Sequence, residues 1–107
     1  MEIDEILDFA LSLPDTIECT PFGPDNIVIK TNGKIFIILF LAGEPPTMNY
    51  KATPEDIIEQ REDYPNYILP GYHMNKKHWN TLHINRSMPS QVIQALIKTS
   101  YSLVRKW

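Results

Sequence analysis

The stretch Asn26–Phe40, NIVIKTNGKIFIILF, decides the fold class. Two runs rich in isoleucine, valine and phenylalanine flank the pair Asn32-Gly33. Asn-Gly supplies the positive φ angles that a type I′ turn needs, so the stretch predicts a β-hairpin with strands over 26–31 and 34–42. In the second strand Ile35, Ile37, Leu39 and Leu41 alternate with Phe36, Ile38 and Phe40, so both of its faces are apolar. Helices packed on one side of a sheet leave the other side in need of a cover. A loop, the C-terminal helix or a partner chain can supply it, and a homodimer is one such arrangement.

The neighbouring segments extend the hairpin into an α+β pattern. Upstream, Ile3, Ile6, Leu7, Ala10 and Leu11 form a stripe at helical spacing, with Asp4 and Glu5 in the first turn, where they favour the helix dipole. Pro14 ends that helix. Residues 14–25 hold three prolines and Gly23 and read as a loop. Downstream, Gly43-Glu44-Pro45-Pro46 turns the chain, and Met48 and Tyr50 alternate with Asn49 and Lys51 in a third strand over 47–51. Thr53-Pro54-Glu55-Asp56 is a helix start, with a threonine cap, proline at the first position and acids in the first turn. That helix reaches Asp63 and stops before Tyr64-Pro65. A strand over 81–85 turns Leu82 and Ile84 inward. Ser87 caps a last helix over 89–106, whose stripe runs through Val92, Ile93, Leu96, Ile97, Ser100, Leu103 and Val104. The order α-β-β-β-α-β-β-α, its fourth strand a short one before the last, implies a two-layer fold, an antiparallel sheet with helices on one face.

The 107 residues are the size of one domain, spanning 1–107, and 43% of them are hydrophobic. The longest apolar run, 35–42, is too short to cross a bilayer, and the acidic start Met1-Glu2-Ile3-Asp4-Glu5 is unlike a secretory signal. A lone Cys19 cannot form an internal disulfide, which fits a reducing, cytoplasmic setting. The formal net charge of -3 is unevenly spread: every acidic residue lies at or before Asp63, leaving that part at -9 and residues 64–107 at +6. Such asymmetry points to a basic surface for a polyanion, unless the halves neutralise each other when folded.

Chemistry-bearing residues concentrate in Gly71–Thr81, GYHMNKKHWNT. Lys76 and Lys77 can reach phosphates, and Asn75 and Asn80 can donate to phosphate oxygens or base edges. Tyr72, His73, His78 and Trp79 offer rings for stacking on an unpaired base, and Arg86 extends the positive stripe. The competing reading makes Tyr72 and Trp79 core residues and Asn75 and Asn80 turn-fixing amides. His73, His78 and His83 recur every five residues, which matches no zinc pattern. No nucleophile–base pair, P-loop or dinucleotide fingerprint is visible, so no enzyme activity is expected.

Several motifs resemble those of the YjbR/MmcQ family of small bacterial proteins. They are Leu11-Ser12-Leu13-Pro14, Pro21–Asp25, Gly33–Phe36, Glu44-Pro45-Pro46, Lys51 and above all Pro70–Thr81. The resemblance spans the chain. It implies a compact α+β domain with frataxin-like or secretion-chaperone-like architecture, and a DNA-binding role. The combined expectation is a non-enzymatic binding module making weak, sequence-independent contacts to the DNA backbone. The alternative is a protein-interaction module, chaperone-like or homodimeric, using the apolar sheet face. No membrane, metal or other cofactor is expected.

Overall fold

The structure, a computed structural model, describes residues 1–84 and 88–106. Its elements are α1 (Ile3–Leu11), β1 (Thr16–Cys19), β2 (Asn26–Thr31), β3 (Lys34–Phe40), β4 (Thr47–Lys51), α2 (Pro54–Asp63), β5 (Ile68–Pro70), β6 (Trp79–His83) and α3 (Ser90–Arg105). The strands form one antiparallel sheet in the order β1-β2-β3-β4-β6-β5. The helices lie on one face of it, and residues from all three join the main core with Ile29, Ile37, Leu39, Met48 and Leu82. This is the expected two-layer α+β fold. None of the described helices is long and apolar enough to cross a membrane.

The sequence signals act where they were read. Asn32 and Gly33 both have positive φ, 51° and 78°, at the tip of the β2–β3 hairpin. Thr53 accepts a hydrogen bond from the Asp56 amide at the start of α2. Glu2 and Glu5 form a reciprocal capping box on α1.

Several boundaries differ from expectation, among them the end of β3, which stops at Phe40 short of 42. The segment read as a loop over 14–25 contains β1, because Thr16–Cys19 pairs along β2 from Thr31 to Val28. Helix α1 ends at Leu11, and Ser12 follows as its C-cap. The last strand begins at Trp79 and ends at His83, leaving Ile84 just beyond it. Asn85, Ser87 and Arg86 lie outside the described residues, and Pro89 occupies the N-cap position of α3.

The strict alternation expected in β3 fails at one residue. Ile29 pairs with Ile37 and Lys30 with Ile35, so Phe36 is the extra residue of a β-bulge. The slip sends Phe36 into the helix-side core beside Ile37 and Leu39. It turns Ile35 to the opposite, open face, where it borders the same hollow as Ile38 and Phe40. Phe36 meets Tyr101 of α3 edge-on, with ring centroids 5.4 Å apart.

The bulge coincides with a break between β3 and β4, whose pairing stops at Ile37–Tyr50. A regular ladder would next join Phe36 to Lys51. Instead the hydroxyl of Ser100, fully buried on α3, sits between them. It donates to the Phe36 carbonyl (2.6 Å) and accepts from the Lys51 amide (2.9 Å). One side chain of the helix layer thus replaces a rung of the ladder and holds the two strands apart.

The open face is covered by its own chain over part of its width. The cross-strand partners Val28 and Ile38 are buried there, 0% and 5% exposed. Tyr72, His73 and Met74 close over Ile38 and Phe40 from the loop that joins β5 to β6.

Replacing Ser100 with alanine leaves the Phe36 carbonyl and the Lys51 amide without their partner. Each unsatisfied buried group costs about 1–3 kcal/mol, so Ser100→Ala is expected to lower unfolding stability by about 2–4 kcal/mol in a urea titration. A change below about 0.5 kcal/mol would show that the strands re-pair directly and that the hydroxyl is dispensable.

Candidate nucleic-acid interface

The loop over 71–78 is built from the strands that flank it. Gly71 donates its amide to the Trp79 carbonyl (3.0 Å), and a Cβ at Gly71 would come within 2.8 Å of that same oxygen. Only glycine lets the two backbones approach so closely. The next residue is gripped at both ends of its peptide. Asn49 donates from its amide nitrogen to the Tyr72 carbonyl (2.9 Å), and Tyr72 donates its amide to the Thr81 hydroxyl (2.8 Å). Thr81 in turn donates to Asn49 Oδ1 (2.6 Å). Asn49 and Thr81 are cross-strand partners, 0% and 4% exposed. Two buried polar side chains therefore fix the backbone of a residue whose own ring is 56% exposed.

His73 follows with φ of 58°, in the left-handed region that side chains seldom occupy. This turn sets the Tyr72 and His73 rings side by side, 3.9 Å between centroids, with Tyr72 edge-on to Phe40 at 5.9 Å. Beyond it Asn75 ties the loop. Its carbonyl accepts from the amides of His78 and Trp79, and its Oδ1 accepts from the Lys77 amide. Lys76 and Lys77 stand exposed on this scaffold, and among the described residues neither has a carboxylate within ion-pair distance.

Asn80 has a different place. It is fully buried on the helix side, where its amide donates to the Ile57 carbonyl and to Gln60 Oε1 (both 3.2 Å). Its Oδ1 accepts from Arg61 Nε at 2.7 Å. Asn80 thus leaves the proposed contact set. The strand begins at Trp79 rather than Thr81, and that register turns position 80 inward.

Arg61 is the residue that sequence reasoning missed. From α2 its guanidinium binds Asn80, the carbonyl of Lys76 and, at 3.4 Å, the carbonyl of Trp79. It is the clamp that fastens the lysine-bearing end of the loop to the helix layer. Gln60, beside it, also accepts from the Tyr50 phenol (2.7 Å), which burial keeps protonated by pushing its pKa well above the usual range.

The cationic residues assemble differently from what the charge asymmetry along the chain predicts. Arg105 turns away from the loop to Asp15 (3.4 Å), Thr31 and the Tyr101 ring. Lys98 lies over the Phe9 ring of the acidic helix α1. In their place Lys34 and Lys51, both from the acidic half, come alongside Trp79 and Met74 around a hollow of about 580 Å³. Val104 of α3 also lines it. Lys51 also borders a second hollow, of about 280 Å³, with His78 and the start of α2. Among the described residues, no aspartate or glutamate lines either hollow. The histidines form no metal cluster with other ligands among the described residues.

The YjbR family model matches residues 11–103. The chain belongs to the YjbR family. The uncharacterised protein YbdF of Escherichia coli O157:H7 is 39% identical to it over 95 residues, 89% of this chain and 77% of the relative. The uncharacterised protein YjbR of Escherichia coli K12 is 26% identical over 94% of the chain and 85% of its own length. The YjbR fold recurs in the crystal structure of DR2400 from Deinococcus radiodurans, with a TM-score of 0.91 and 30% identity, covering 97% of this chain and 78% of that one. It recurs again in a Pseudomonas syringae protein, with a TM-score of 0.82 and 28% identity over 96% and 98% of the two chains.

Because Arg61 binds through a planar fork, Arg61→Lys should not substitute for it. Both Arg61→Lys and Arg61→Ala are expected to destabilise the protein by about 1.5–3 kcal/mol and to speed hydrogen exchange at the amides of His78 and Trp79. Unchanged exchange there would mean that Asn75 alone holds the loop.

Proposed function

We propose that this YjbR-family chain is a non-enzymatic binding module that contacts the phosphate backbone of DNA weakly and without sequence preference. Four lysines carry the reading: Lys76 and Lys77 on the loop, Lys34 and Lys51 beside it. Lys34 and Lys51 border hollows that no described carboxylate lines, and the loop that carries Lys76 and Lys77 reaches the same hollows through Met74 and His78. Ammonium groups so placed meet a phosphate chain and release its counterions. The net charge of -3 keeps such binding weak, since the rest of the surface repels the ligand. His78, half-buried next to the lysine pair, adds a further donor.

A second reading is favoured by a separate observation. Ile17, Phe22, Leu69 and Tyr72 are 61%, 65%, 38% and 56% exposed, and they lie on or beside the open face of the sheet. An apolar patch of this kind suits a protein partner or a second copy of the chain. Light scattering across a concentration series tests it: a mass that stays monomeric removes the homodimer.

For the DNA reading, a labelled oligonucleotide should bind at low salt with affinity falling steeply as salt rises. Lys76→Ala combined with Lys77→Ala should weaken all sequences equally and flatten the log–log salt slope by about two. Identical slopes for wild type and double variant would exclude the loop as the contact.

A further inference from the structure

We infer that the ligand of this surface is a single strand, with unpaired bases seated in two apolar hollows on either side of Tyr72. This rests on the backbone-binding reading and names the form of nucleic acid that the site takes. The first hollow, of about 340 Å³, lies between Phe40, Leu69, Pro70 and Tyr72. The second, of about 370 Å³, lies between Phe22, Ile38, Phe40, Tyr72 and Met74. Phe40 and Tyr72 are walls of both. Ile35 and Met74 are in turn shared by the second hollow and the lysine-lined one, where Lys34 and Lys51 stand. The three hollows thus form one trough that passes from aromatic to cationic along the open face.

Each part of the trough matches one part of an unpaired strand. A base in a duplex has both faces covered by its neighbours, whereas an unpaired base exposes a flat apolar surface to an aromatic ring. The Tyr72 ring is presented for that contact, because Asn49 and Thr81 fix its backbone and leave the ring outward. Polar atoms sit at the rims: Asn26 and His73 on the second hollow, Thr47 and His83 on the first, within reach of base edges. Lys34 and Lys51 receive the phosphates at the far end. A rigid duplex has nothing to place in a concave apolar hollow, and four lysines are few for its two phosphate chains.

Fluorescence anisotropy at low salt tests this with three probes: a labelled 12-residue oligothymidylate, a duplex hairpin and heparin, an anion without bases. The single strand should bind more tightly than the duplex. Tyr72→Ala should lose on the order of tenfold on the single strand, the range expected for one or two stacked bases, and far less on heparin. Tyr72→Phe, which keeps the ring, should bind the single strand as wild type does. Thermal melts confirm that both variants are folded. Equal affinity for single strand and duplex, or a Tyr72→Ala variant that loses equally on all three probes, overturns base seating while the lysine reading survives. Absence of binding to all three overturns both. A wild-type dimer that Tyr72→Ala dissolves assigns the trough to a second copy of the chain and overturns the proposal.

Discussion

The Ser100 hydroxyl between Phe36 and Lys51 organises both layers of this protein. It satisfies two strand groups that would otherwise pair with each other, and it does so from a helix. The strands part at that point, the Phe36 bulge follows, and the ring of Phe36 drops into the core against Tyr101. Ile35, next to the bulge, and Lys51 both line the hollow that also holds Lys34. A polar residue in the middle of an apolar helix stripe therefore stands where a rung of the sheet would otherwise form. Burial of the hydroxyl makes the arrangement specific, because a buried donor–acceptor has few alternative partners.

Much of the architecture was legible along the chain. Asn32-Gly33 announced the hairpin, Thr53-Pro54 the second helix, and the stripe from Val92 to Val104 the third. These signals are local, and local backbone chemistry decided them. What escaped notice was set at longer range. Strand β1 carries no strong pattern and exists because Thr31 to Val28 offers it an edge. The face assignment of Phe36 and Ile35 depended on a bulge that no local pattern marks. The Ser100 signal was present, a serine among Val92, Ile97 and Val104, but nothing in the stripe said what the hydroxyl would meet.

The site shows the same division. Its loop was visible as a concentration of basic, amide and aromatic residues; Lys76, Lys77 and His73 are exposed on it, and so is Tyr72, against its reading as a core residue. Asn80 lies inside, held by Arg61 and α2, because the strand starts two residues early. Arg61 and the pair Lys34–Lys51 belong to the acidic half of the sequence, so charge counted along the chain hid them. Sheet pairing brought the two lysines to β6, which lies beside β4 as β4 lies beside β3, and Arg61 reaches β6 from α2. Conversely Arg105, prominent in the basic tail, is engaged by Asp15 and Thr31.

The grip on Tyr72 separates two duties that a single residue usually has to reconcile. Asn49 and Thr81 hold its main chain, and main-chain atoms are common to every amino acid but proline. The ring touches Phe40 and His73, but the grip on the backbone is made without it, like a chuck that holds a tool bit. Whatever side chain occupies that seat inherits the same orientation, so what the surface prefers can drift or be redesigned there while the framework beneath stays intact.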